Sequence, residues 1–191
     1  MTKAALSVTI GAVLILVLAG CPPNPPICVD FEPPLTIGTQ YGTPVGQSPG
    51  TTVFTTNGIP VSIYNFVFTG GGGTFNLAKI DAAPVPFGSG QSIRTNNINL
   101  EFDFNQLGFQ PTQVTLEFLD LGGLENLSVN GSPLFAGELS SAPTPIGGVS
   151  LAVSTTAVAG GKKGTVTLKG SIKTLRIGGQ EFWIDNVCAR K

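Results

Sequence analysis

Ile98-Asn99-Leu100-Glu101-Phe102-Asp103-Phe104 alternates apolar and polar residues without a break. A period of two puts Ile98, Leu100, Phe102 and Phe104 on one face of an extended strand, with Asn97, Asn99, Glu101 and Asp103 on the other. A helix would scatter the same apolar side chains around its circumference. Val114, Leu116 and Phe118 repeat the pattern against Thr115 and Glu117. Outward from these two runs the chain is punctuated for hairpins. Asn57-Gly58 separates the β-rich runs Thr51–Thr56 and Pro60–Phe68, and Asn130-Gly131 is a type I′ turn signal. Gly148–Ser154 and Gly164–Lys169 flank a Gly-Gly-Lys-Lys-Gly turn, and the Gly70–Gly73 run reads as another hairpin connection. Cys28–Glu32, Phe75–Asp81, Ser171–Ile177 and Gln180–Cys188 complete the strands, and Gly38–Gly50 and Ala82–Gly90 read as loops. The apolar parity slips between Ile172 and Leu175, which predicts a bulge there. The pattern predicts an all-β fold, a single antiparallel sandwich of jelly-roll type with about ten to twelve strands over residues 28–191.

Composition narrows the function. The chain has 191 residues, of which 11% are charged, and it has no histidine. That removes the commonest general base, the Ser-His-Asp arrangement and most catalytic zinc sites. A carboxylate-only glycan-active enzyme remains, using Glu101 with Asp103 or Glu117 with Asp120. Strand parity makes Glu101 and Asp103 neighbours on a solvent-side face, not partners across a cleft, so no enzyme is expected. Eleven acidic residues against ten basic ones offer no basic patch for nucleic acid. The glycine run is followed by no P-loop lysine.

The N-terminal segment 1–20 has a short basic start (Lys3), an apolar core from Ile10 to Leu18 and a small-residue exit at Ala19 and Gly20. That is the layout of a secretory signal, too short to span a bilayer comfortably. Leu18-Ala19-Gly20-Cys21 resembles the lipobox of bacterial lipoprotein precursors. The resemblance implies that Cys21 is the acylated first residue of the mature chain, with membrane lipid as its partner. Each buried methylene contributes about 0.8 kcal/mol, so two or three acyl chains hold a protein where one would not. Pro22 in the following position implies the outer membrane in a double-membraned cell. Residues 21–27 include Pro22-Pro23-Asn24-Pro25-Pro26, a polyproline-type tether. With Cys21 assigned to lipid, Cys28 and Cys188 remain, and in an oxidising compartment two remaining cysteines pair.

The end strands carry a second resemblance. Cys28-Val29-Asp30-Phe31-Glu32 and Phe182-Trp183-Ile184-Asp185-Asn186-Val187 are similar to the terminal strands of galactose-binding-like jelly rolls, which include many carbohydrate-binding modules. This similarity implies a structural calcium on Asp30, Glu32 and Asp185, since hard oxygen ligands suit that ion. Strict alternation across a Cys28–Cys188 pair would put Asp30 and Glu32 on the face of Asn186 instead of Asp185, so such a site requires a bend. Sugar binding in that family uses exposed aromatic platforms. Here the candidates are Tyr41, in a Gly-rich loop, and Trp183, which sits between core-type Phe182 and Ile184. The stretch from Leu119 to Asn126 adds two acids and an amide in a glycine-containing turn, suited either to a cation or to a capped β-connection. The leading expectation is a lipid-anchored extracytoplasmic domain with a structural or protein-interaction role at the cell envelope. A calcium-stabilised carbohydrate-binding module is the alternative.

Overall fold

The computed structural model describes residues 25–191; the signal segment 1–20, Cys21 and the tether as far as Asn24 lie outside the described residues. Fifteen strands follow one another. They begin with β1 (Ile27–Val29), β2 (Gln40–Gly42), β3 (Thr52–Thr56), β4 (Ile59–Val67) and β5 (Gly73–Thr74). Next come β6 (Leu77–Asp81), β7 (Ser92–Asn96), β8 (Ile98–Asp103), β9 (Gln113–Asp120) and β10 (Glu125–Val129). The last are β11 (Phe135–Gly137), β12 (Ser150–Val158), β13 (Gly161–Lys169), β14 (Thr174–Gly179) and β15 (Phe182–Arg190). The helical content of the described residues is two single 3-10 turns, Thr43–Val45 and Leu139–Ser141. None of their helices is long and apolar enough to cross a membrane.

The strands form two antiparallel sheets, as the alternation predicted. Sheet A runs β12-β13-β9-β15-β7-β6-β2, with β1 also on β15; sheet B runs β11-β10-β14-β8-β4-β3, with β5 on β4. From β7 onward the chain crosses repeatedly between the sheets. The sharpest step is at Asn97, one residue in the left-handed region (φ 53) between β7 and β8. Asparagine tolerates that conformation better than most side chains.

The inward faces make one core. Ile98, Leu100 and Phe102 of sheet B are fully buried, Phe104 just beyond them is 1% exposed, and Phe118 and Phe182 of sheet A stack with centroids 5.5 Å apart. Burying each such side chain contributes about 1.5–3 kcal/mol. One expected solvent-side residue behaves otherwise. Asn99 is buried, because its amide donates to Asn65 O and to Asn126 Oδ1 across the outer surface of sheet B.

Local details differ from the sequence expectation in three places. The short strands β2, β5 and β11 raise the count above ten to twelve. Lys162 and Lys163 belong to β13, because the hairpin closes at Ala159-Gly160, at the very start of the Gly-Gly-Lys-Lys-Gly run. The bulge does not fall between Ile172 and Leu175, since Ile172 precedes β14 and bonds to Pro111 O. It falls in β15, between Asp185 and Cys188.

Cys28 and Cys188 stand opposite each other in the β1–β15 ladder and are joined by a disulfide 160 residues apart in sequence. Closing a loop of that size restricts the unfolded chain far more than the native one. The Cys28→Ser/Cys188→Ser chain should therefore unfold with a urea midpoint reduced by the equivalent of up to about 5 kcal/mol. An unchanged midpoint would show that the bridge adds nothing to the native ladder.

Candidate functional site

The bulge in β15 builds the first acidic site. Asp185 pairs with Glu117 and Cys188 with Thr115, so three steps on β15 match two on β9. Asn186 absorbs the extra residue in the left-handed region at φ 49. Parity therefore flips, and Asp185 comes to the same side of sheet A as Cys188 and its partner Cys28. Just past β1 the chain turns at Phe31, φ 59, and brings Glu32 toward the same place. This is the bend that a shared acidic site requires.

The loop from Ala82 to Gln91 lies over these acids. Ser89 N–H donates to Asp185 Oδ2 at 2.6 Å and Gln91 N–H to Glu32 Oε1 at 2.7 Å. A Cβ at Gly88 would collide with the Asp185 carboxylate and one at Gly90 with that of Glu32. Both glycines also have positive φ, so no other residue lets the loop settle this close. Asn186 Nδ2 donates to Glu117 Oε2 at 2.7 Å, fixing a third acid beside the pair. Asp185 is 1% exposed. Burial pushes its carboxyl up to about 7, the charges of Glu117 and Glu32 push the same way, and the N–H groups of Ser89 and Asn186 oppose them. These carboxylates come from β15, β9 and the chain just past β1, and N–H groups of Ser89, Gln91 and Asn186 take up their oxygens. Among the described residues the three acids close enough to share a metal ion are a different group, Asp120, Glu125 and Glu138. Asp30 is used differently, accepting the Glu32 N–H at 3.3 Å. The sequence offered Glu117 as a catalytic acid with Asp120, not as a neighbour of Asp185, since only the bulge brings it alongside.

The aromatic candidates are not platforms. Tyr41 is 6% exposed and packs on Phe54 at 5.5 Å. Trp183 turns to the outer face of sheet A yet is 5% exposed, with the Arg94 guanidinium 5.0 Å from its ring centroid. The half-buried aromatic at a concave surface is Phe87, in the same loop. It lines a cavity of about 230 Å³ with Glu117, Ser154, Thr156, Lys163 and Thr165. A second hollow of about 480 Å³ adjoins it through Phe87, Gly88 and Lys163. Lys163 Nζ donates to Pro86 O at 2.8 Å and ties the loop to β13.

The acids considered for catalysis do not face one another. Glu101 accepts from Arg176 at 2.7 and 2.9 Å, and Arg176 also lies 3.6 Å from the Tyr64 ring centroid. Asp103 caps the turn at Asn105. Glu117 and Asp120 point to opposite faces of β9.

Asp120 instead joins a second acidic group at the crossing from β9 to β10, the glycine-containing turn singled out in the sequence. Oxygens of Asp120, Glu125 and Glu138 lie within 4.8 Å of one another. Lys162 Nζ bridges Glu138 Oε2 and Asp120 Oδ2, the latter at 3.1 Å. Glu125 is 1% exposed; Oε2 accepts the Leu139 N–H at 3.1 Å, and Oε1 is buried without a partner. Burial first, then the Asp120 charge, push Glu125 up to about 8, with Glu138 adding to this while the Leu139 N–H and Lys162 oppose it. Glu138 and Lys162 carry no local sequence signal; the β12–β13 hairpin and the chain after β11 deliver them from afar.

No protein-family model, curated protein or solved structure matches this chain.

Glu125 gives a pH dependence of definite sign. Its folded pKa lies above the ordinary 4.5, so between there and about 8 the native state holds a proton that the unfolded state has released. Stability therefore falls as pH rises through that window. Glu125→Gln removes this loss. In chelator, its urea midpoint should exceed that of the parent at pH 8 and converge toward it near pH 4. A parallel shift at both pH values would place the effect in packing. Asp185 contributes a similar loss up to about pH 7, which Glu125→Gln retains.

Proposed function

We propose that this chain is a lipid-anchored extracytoplasmic β-sandwich, non-catalytic, that serves a structural or protein-interaction role at the cell envelope. The observation that carries the interaction role is the edge strand β12. Of the four outer strands, β2 and β11 have three residues each and β3 is interrupted by a register shift. These are the usual protections against strand addition. β12 has nine residues in unbroken register with β13, without a charge or a proline. Leu151 N–H turns away from β13 to Thr144 Oγ1, so by alternation Val153, Thr155 and Ala157 present their backbone groups on the open side. An extended segment of a partner protein is the chemistry that completes such an edge.

The anchor is supported by the lipobox resemblance and by the cysteine count. Two of the three cysteines are bonded to each other, which leaves Cys21 for acylation. A second reading, glycan binding, is favoured by the groove in which Phe87 stands beside Glu117, Lys163 and three hydroxyl side chains. The N–H groups of Ser89 and Gln91, bonded to Asp185 and Glu32, hold the loop that carries Phe87.

Cys21→Ser should move the chain from the membrane pellet to the soluble fraction and abolish incorporation of labelled palmitate; retention in the pellet would refute the anchor. For the edge, Thr155→Lys and Thr155→Pro place a charge or remove a donor on the open side, leaving the β13 ladder intact. A photo-crosslinker at Ala157 in envelopes should give a discrete adduct that falls at least about tenfold in both variants, while stability moves by no more than about 0.5 kcal/mol. Adduct yield unaffected by either variant would remove β12 as the docking element.

A further inference from the structure

We infer that Asp120, Glu125 and Glu138 form a divalent-cation site, separate from the acids beneath the loop and independent of the role proposed above. The turn from Asp120 to Glu125 carries the chain from sheet A to sheet B, so the last residue of β9 and the first of β10 meet at one rim of the sandwich. Glu138, exposed just past β11, closes the group. Proximity of acids alone would not make a site.

The second observation is Glu125 Oε1. It belongs to a side chain 1% exposed, it is itself buried, and no donor in the described residues reaches it. A buried oxygen left this way is costly unless something absent from the chain satisfies it. Charge points to what that is. Once Glu125 gives up its proton to a bound ion, three carboxylates against the single ammonium of Lys162 leave two negative charges, the amount one divalent ion neutralises. Geometry agrees, because Lys162 touches Asp120 and Glu138 and leaves Glu125 unbridged. The lysine and an ion thus divide the group between them. With all ligands hard oxygens, the ion is of the calcium or magnesium class, and water completes its coordination.

The test is calorimetric titration of calcium, and separately magnesium, into the full chain in detergent after chelator treatment, with thermal unfolding followed in parallel. The parent should bind and its Tm should rise. Glu125→Gln should weaken binding at this site at least tenfold or reduce the stoichiometry by one. Glu138→Gln, at an exposed position, should do the same in smaller measure. Glu32→Gln should leave the site intact. Binding lost only in Glu32→Gln would assign the ion to the chain-end acids and overturn the inference. So would full-affinity binding in Glu125→Gln, or no binding of either ion by the folded parent.

Discussion

The bulge at Asn186 is the constraint on which the rest of this domain depends. β15 is paired on both sides: β9 runs along one, while β7 and then β1 share the other. A strand so enclosed cannot shift register without turning its core residues outward. One extra residue in its middle lets Ile184 and Val187 both face the core, although three positions separate them. The same residue puts Asp185 and Cys188 on one outer side. The disulfide, the acids under the loop and the loop's glycines are all consequences of that parity change. Without it, Cys188 could meet Cys28 only by sending Asp185 to the opposite face.

Buried charge is the second theme. Asp185 in sheet A and Glu125 in sheet B are both 1% exposed, and both are surrounded mainly by other acids. The domain responds differently at the two places. Around Asp185 it supplies backbone N–H groups from Ser89 and Asn186. Around Glu125 it supplies one N–H and a lysine that bonds to the neighbouring acids instead. Desolvation exceeds both responses, so each carboxyl retains its proton to higher pH than in water. Side chains of this kind persist where the fold gains something other than stability from them.

Much of this was legible in the sequence because period-two alternation needs no tertiary information. The run from Ile98 to Phe104 and the Asn-Gly turns specify strands and hairpins locally, and they were read correctly. The Cys28–Cys188 pairing followed from counting. The site was harder to read, for physical reasons. Asp120 and Glu125 could be noticed because a turn joins them, whereas Glu138 and Lys162 arrive through pairings that no local pattern encodes. Glu117 looked like an ordinary solvent-side residue until a bulge placed it by Asp185. Tyr41 looked exposed in its Gly-rich loop, but β2 pairs with β6 and turns the ring onto Phe54. Short edge strands of this sort carry too few residues to show a period.

The positions of the tether and the open edge are also related. The tether enters at β1, whose partner β15 lies in the interior of sheet A, and the disulfide passes any pull on the chain directly to that strand. Pulling on β1 alone would part a ladder of three residue pairs; pulling through the bridge loads a nine-residue strand held on both sides. β12 lies three strands away in the same sheet, about 14 Å at ordinary strand spacing. A partner strand added there would extend the sheet without touching β1, the bridge or the loop over Asp185. The anchoring and docking proposed for this chain would therefore act on one sheet at separate places. A load between membrane and partner would run across hydrogen-bonded strands, not through a hinge.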